Sequence, residues 1–235
     1  MKQLADLRLF STSAHPCSYL EGESARTLFI DPEASITKSQ HTRLSELGFR
    51  RSGSHYYRPF CEQCQACLPC RVRVSEFSFS RSFRRILRLN QDVVVSRTNE
   101  IDTEEHYALY QRYIDERHDD GDMYPATPEQ FRSFLVACCE STNYLEMRVQ
   151  GRLIGLFVSD ELDDGLSAVY TCFAPEESWR SPGTFAVLWQ ILQCQTLGLP
   201  HLYLGYWIRD CRKMRYKTRY QPLEVFSNGS WALLS

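Results

Sequence analysis

Between residues 144 and 207 the chain alternates apolar and polar positions, breaks at turn residues, shifts to a helical period and returns to a strand. Tyr144 to Val149 reads as a strand, Gln150-Gly151 as a tight turn, and Leu153 to Ser159 as the returning strand. Asp163-Asp164-Gly165 makes another turn before a strand over Leu166 to Phe173. Pro182 and Gly183 then open an apolar helix carrying Phe185, Leu188, Trp189, Leu192 and Leu197, which Gly198 and Pro200 end. His201 to Trp207 forms the next strand. Upstream, Val93 to Val95 is strand-like, and Asp102 or Thr103 caps a helix with Tyr107, Leu109, Tyr110 and Ile114 on its apolar face. That helix ends before Asp119-Asp120-Gly121-Asp122, and Thr127-Pro128-Glu129 starts another. The pattern predicts an α+β fold.

Antiparallel strands, then a helix, then a strand is an order that resembles the core of GCN5-type (GNAT-type) acyltransferases, although an ordinary α+β domain can share it. In that fold the donor's phosphates or ribose sit at the N-terminus of the central helix, where unpaired N–H groups attract anions. Charge sign flips near residues 95–102. The expected division is a smaller Cys/Arg-rich N-terminal domain over 1–98, packed on an acyltransferase-like domain over 99–235.

Composition narrows the classes. At 235 residues with 43% hydrophobic and 24% charged positions, the chain can bury a real core. No run approaches the roughly 18 apolar residues of a membrane span. The first eight residues mix Lys2, Asp6 and Arg8 where a signal peptide needs an apolar stretch, so a cytoplasmic protein is expected. Ten cysteines in that setting point to metal, redox chemistry or buried thiols rather than disulfides. The net charge of −2 hides an asymmetry: residues 50–88 hold nine arginines against Glu62 and Glu76, while 99–122 hold nine acidic residues. A basic first half suggests a polyanion on one face, with a solvated Arg-rich helix as the alternative.

Three motifs could carry chemistry. Cys61-x-x-Cys64-x-x-Cys67-x-x-Cys70 has a spacing that lets thiolates converge on zinc or an iron–sulfur cluster. Pro69 restricts the last step, which counts against a simple zinc site. The spacing also resembles half of a ferredoxin run, whose fourth cysteine serves elsewhere, so Cys17 is a candidate fourth ligand, and a reduced thiol cluster with a packing role remains open. Arg81, Arg84, Arg85 and Arg88 share one helical face while Phe83, Ile86 and Leu87 can face inward, a stripe suited to phosphate. Tyr206, Trp207, Lys213 and Lys217 interleave aromatic and basic groups, as a nucleotide site or as a core strand with a surface helix. His118, beside Asp119 and Asp120, is either a base or merely exposed.

Together these segments resemble the bacterial aspartate/glutamate leucyltransferases, relatives of the eukaryotic arginyl-tRNA–protein transferases. The matching stretches are Cys17-Ser18-Tyr19-Leu20, Gly48 to Gly53, Tyr57-Arg58-Pro59 into Cys61, Cys64 and Cys67, and Arg81 to Asn90. They continue through Arg117-His118-x-Asp120-Gly121, Ala168 to Thr171, Gly205 to Ile208, and Lys213 to Lys217. The resemblance implies leucine transfer from leucyl-tRNA to proteins beginning with Asp or Glu, marking them for degradation. Departures are a lone Cys17 where the eukaryotic branch has a Cys-x-x-Cys pair, an extra Cys70, and Ser181-Pro182-Gly183 in place of a glycine-rich pyrophosphate loop. Arginyl transfer, an acyl-CoA-dependent N-acyltransferase and a zinc-dependent RNA-binding module are the rival readings.

The aminoacyl ester is already activated, so the chemistry requires no cofactor and mainly needs positioning. An α-amino group, with a reference pKa of about 7.7–8.0, is partly neutral at pH 7. On this reading Arg50, Arg51, Arg58, Tyr170, Trp207, Lys213 and Lys217 bind substrate. Arg51 with Lys213 or Lys217 pairs with the acidic side chain, and Tyr206 and Trp207 flank the acylated adenosine. His118 and Tyr206 are the catalytic candidates, Arg81, Arg84, Arg85 and Arg88 hold tRNA, and Cys17, Cys61, Cys64 and Cys67 take any metal.

Overall fold

The computed structural model describes residues 4–121, 123–137 and 139–234. The N-terminal part comprises β1 (Leu9–Ser11), β2 (His15–Pro16), β3 (Ser24–Ala25), β4 (Thr27–Ile30), α1 (Lys38–Glu46), β5 (Arg50–Ser52) and β6 (His55–Pro59). Four of these strands form an antiparallel sheet in the order β1-β4-β6-β5. Thr37 and Gln40 cap α1 reciprocally, so two of its unpaired N–H groups are satisfied from within the sequence. Ile30, Leu44 and Tyr56 make a small core beneath it.

The larger part comprises β7 (Leu68–Arg73), α2 (Arg81–Leu89), β8 (Val94–Thr98), α3 (Glu104–Arg117), α4 (Pro128–Phe131), β9 (Thr142–Val149), β10 (Arg152–Glu161) and β11 (Gly165–Phe173). It ends with α5 (Pro182–Leu197), β12 (His201–Trp207), β13 (Leu223–Ser227) and β14 (Ser230–Leu233). These strands form one eight-stranded sheet, order β14-β13-β7-β12-β11-β10-β9-β8. All its neighbours are antiparallel except β11 and β12. The expected α+β class is what the chain forms.

The sheet crosses the boundary drawn at residue 98, because β7 and β8 lie before it and pair with β12 and β9. The change of charge sign marks a surface property, whereas strands join wherever an edge needs hydrogen bonds. Both faces of the sheet are covered. Leu145, Met147 and Phe157 pack against Phe185 and Ala186 of α5. Tyr144, Leu156 and Val158 pack with Leu109, Tyr110 and Ile114 of α3.

Local signals behave as their chemistry dictates. Thr103 caps α3 by accepting from the His106 amide. Gln150 and Gly151 both take positive φ, as the two-residue turn between β9 and β10 demands. The helix expected at Thr127-Pro128 stops at Phe131 and continues as a π-helical turn over Arg132–Val136. β13 and β14 join through Asn228-Gly229, both at positive φ. An Asn-Gly pair between apolar runs is itself a hairpin signal, since both positions tolerate the positive φ that the turn demands.

Candidate active site

β11 and β12 pair over only three residues, Gly165 to Ser167 with His201 to Tyr203. Beyond that they part, although β11 runs to Phe173 and β12 to Trp207. Carbonyls inside such a gap need donors. Arg50, the first residue of β5, supplies them. Its Nη1 donates to the Leu204 carbonyl at 3.2 Å, and its Nη2 to Val169 at 2.6 Å and Ala168 at 3.3 Å. Gly205 makes the room: a Cβ there would lie 1.2 Å from Arg50 Nη1, and its φ of +76° is left-handed. The guanidinium meets carbonyl oxygens and, among the described residues, no carboxylate.

Two cavities meet at this arginine, sharing Arg50, Val169, Tyr170 and Lys217 as lining. The larger, about 460 Å³, is bounded by His118, Tyr216, Leu204 and the first turn of α5 at Gly183 and Thr184. The smaller, about 220 Å³, is lined by Tyr19, Tyr57, Phe134, Tyr206 and Met214. The Tyr170 hydroxyl is buried and, among the described residues, has no hydrogen-bond partner. Lys217 is buried, donates to the Tyr206 carbonyl, and has its ammonium drawn down to about 8 by burial and by Arg50. His118 caps the C-terminal end of α3 at half burial; desolvation, with Lys213 and Arg117, lowers its proton affinity and favours the neutral imidazole at pH 7. A half-buried cation cluster, an unpartnered hydroxyl and a neutral histidine around one cleft can hold an anion and relay a proton.

Several sequence candidates are already engaged by protein groups, among them Arg51 and Tyr206, which line the smaller cavity. Arg51 is 3% exposed and grips Asp160, with Nε and Nη2 each 2.7 Å from a carboxylate oxygen. Its charge is therefore already neutralised, so it cannot serve as the cation that selects acidic acceptors. Tyr206 donates to the carbonyls of Gly48 at 3.0 Å and Tyr57 at 3.1 Å, which ties β12 to the N-terminal part. Trp207 packs in the core with Val72, Leu188 and Leu223 rather than offering a stacking face. Lys213 makes an exposed ion pair with Asp120 at 2.9 Å, outside both cavities. Arg58 stacks over Phe49 beside a third cavity.

That third cavity, about 340 Å³, gathers Cys17, Cys61, Cys64 and Cys67, while Cys70 is buried in the main core. Burial and the neighbouring thiols of Cys17, Cys61, Cys64 and Cys211 push Cys67 up to about 12. Four crowded thiols in one cavity fit a thiolate-binding metal or cluster in donor chemistry. Among the described residues no three of these sulfurs converge as closely as His41, Cys139 and Asp160 do elsewhere. On α2, Arg81, Arg84, Arg85 and Arg88 are all exposed, and Phe83 is buried, stacked 5.2 Å from Tyr220. Arg219 lies over the Phe83 ring at 5.3 Å, which packs the segment carrying Tyr216 and Lys217 against α2.

A cleft that pairs a divided parallel strand pair with cationic and proton-accepting groups has the chemistry that group transfer needs. The chain matches the family described as arginine-tRNA-protein transferase, N terminus, over residues 15–85, and the C terminus of the same family over 105–227. An aspartate/glutamate leucyltransferase of Marinobacter nauticus is 54% identical over 100% of this chain and 99% of its own. Another from Alcanivorax borkumensis is 53% identical (98% and 96%), and one from Pseudomonas aeruginosa 49% (100% of both). The chain belongs to the aspartate/glutamate leucyltransferases. Likeness to the structure of L-PGS from Bacillus licheniformis is slight, with a TM-score of 0.43 and 8% identity over 62% of this chain and 48% of that one. Among the described residues no helix is long and apolar enough to cross a membrane.

Proposed function

We propose that this protein takes leucine from leucyl-tRNA and joins it to the N-terminal Asp or Glu of acceptor proteins in the cytoplasm, marking them for degradation. The reading rests on membership of the family and on one observation above all. Arg50 is a guanidinium without a carboxylate partner among the described residues, set where two cavities meet between β11 and β12. In this reading the residues beyond β8 form a GCN5-like acyltransferase core, and the first 98 residues contribute the arginine that reads the acceptor.

The larger cavity, beside the first turn of α5, takes the aminoacyl-adenosine, and the smaller one takes the acceptor N-terminus. The neutral α-amine attacks the ester carbonyl; a C–N bond forms and the C–O bond to the tRNA ribose breaks. The amine's proton passes to the departing ribose hydroxyl, with the neutral His118 able to carry it. Arg50, with Lys217 behind it, pairs with the acceptor's carboxylate, and the Tyr170 hydroxyl donates to a substrate oxygen. Arg81, Arg84, Arg85 and Arg88 hold the tRNA backbone. Cys17, Cys61, Cys64 and Cys67 would hold zinc or an iron–sulfur group, which would brace the segment between β6 and β7; no step runs through it.

The test is Arg50→Met, assayed with leucyl- and arginyl-tRNA and peptides beginning with Asp, Glu, Asn or Ala, the products being weighed. Losing one charge-assisted pair costs about 1.5–3 kcal/mol, so preference for Asp over Asn should fall by roughly 10–150-fold while tRNA affinity holds. An unchanged preference, or equal transfer of arginine, would refute the assignment.

A further inference from the structure

Beside the cleft, a second reactive cluster takes no part in the transfer chemistry. Cys139, the His41 ring and Asp160 bring a sulfur, a ring nitrogen and a carboxylate oxygen within 4.8 Å of one another. Cys139 Sγ lies 3.1 Å from Ser141 Oγ and 3.4 Å from Thr142 Oγ1. His41 is 2% exposed, with Nδ1 3.3 Å from Ser141 Oγ and Nε2 3.8 Å from Asp160 Oδ2. The other groups facing the thiol are Arg51 from β5 and Tyr56 from β6, whose ring stands edge-on to His41 at 4.8 Å.

A metal ion is a poor occupant. Arg51 holds both Asp160 oxygens at 2.7 Å, and Thr142 donates to Oδ1 at 2.7 Å, so the carboxylate is saturated and a fixed positive charge is already present. What remains is a nucleophile beside a base and a guanidinium, on a half-buried residue. Burial and the Asp160 charge push the thiol up; hydrogen bonding to His41 and Ser141, with the charge of Arg51, outweighs them and brings it to about 6.

We propose that Cys139 is a redox-sensing thiolate for hydroperoxides, whose oxidation disturbs the Arg51–Asp160 clasp and thereby Arg50 in the cleft. The sulfur attacks one peroxide oxygen; an S–O bond forms and the O–O bond breaks. Sulfur is oxidised to sulfenic acid, peroxide oxygen is reduced, and the departing hydroxide takes the proton from His41 to leave as water. The added oxygen enters a space already filled by Arg51, Ser141 and Thr142. Arg51 and Arg50 are adjacent in β5, so a shift of the first moves the second off its three carbonyls. The effect on transfer rests on the proposed function; the reactivity of Cys139 does not.

The intact protein is alkylated with iodoacetamide between pH 5 and 9 and its cysteines followed by peptide mass spectrometry, fragment ions separating Cys139 from Cys138. From pH 8 to pH 6 the Cys139 rate should fall only about twofold, against roughly 75-fold for a thiol of ordinary pKa near 8.5. Low-pKa thiolates are weaker nucleophiles, so the pH profile decides, not the rate at one pH. Hydrogen peroxide should then give a dimedone adduct on Cys139, with transfer lost in proportion and restored by dithiothreitol. Cys139→Ser should keep transfer and resist peroxide. An ordinary alkylation profile at Cys139 overturns the site, whatever the variants do. A normal adduct with Cys139→Ser still inhibited by peroxide overturns the link to the cleft.

Discussion

Gly205→Ala tests whether the cleft is built around Arg50. A methyl there would stand 1.2 Å from Nη1 and 2.5 Å from Cζ of Arg50, so the guanidinium must leave the gap between β11 and β12. Two costs follow. An L-residue held at φ +76° is strained by about 1–2 kcal/mol. Three carbonyls lose their charged donor, and allowing for water reaching some of them, that costs about 2–3 kcal/mol more. The expected loss is about 3–5 kcal/mol, or roughly 10 °C in Tm for a chain of this length. Urea unfolding of the wild type, Gly205→Ala, Arg50→Ala and the double variant completes a thermodynamic cycle. With Arg50 already truncated, the methyl should cost only its backbone strain, giving a coupling of about 2 kcal/mol. Additive effects within about 0.5 kcal/mol would mean that Gly205 does not exist to admit Arg50, and the account of the cleft would fail.

Asp160→Asn should destabilise the protein by about 3–5 kcal/mol, because it leaves the Arg51 guanidinium buried without its counter-charge. Burial raises the Asp160 carboxyl, but Arg51 outweighs it and holds it below its ordinary value. Its contribution is thus present above about pH 4 and lost as the pH falls through the folded-state value, so acid unfolding of Asp160→Asn should be flatter over that window. Arg84→Ala with Arg85→Ala should weaken tRNA binding and reduce the log–log salt slope by about 0.7–0.9 for each contact removed. A filter-binding titration from low to physiological salt reads both, and an unchanged slope would make the stripe structural.

Much of the C-terminal half was legible because its signals are local. The Gln150-Gly151 turn, the Thr103 cap and the Gly198 stop each depend on a few adjacent residues, and each stands where the chain chemistry puts it. β7 was not legible, since Leu68 to Arg73 overlaps the end of the cysteine run at Cys70 and enters the sheet only because β12 and β13 offer edges. Within the site, Arg50, Tyr170, Lys217 and His118 were named from the sequence and do meet. Tyr19, Phe134 and Met214 were missed, because each is an ordinary residue until distant segments converge.

The neighbours Arg50 and Arg51 divide what the two levels can decide. The amino-acid sequence by itself indicated the elements between β8 and β12, the arginine stripe of α2, the family resemblance and a basic pair at positions 50 and 51. It could not tell which arginine would lack a carboxylate partner among the described residues. Successive residues of a strand face opposite sides. Only the tertiary structure turned Arg51 onto Asp160, 109 positions away, and Arg50 into the gap opened by Gly205. A charge is available or neutralised according to what folding brings beside it, and that partner carries no mark in the local sequence.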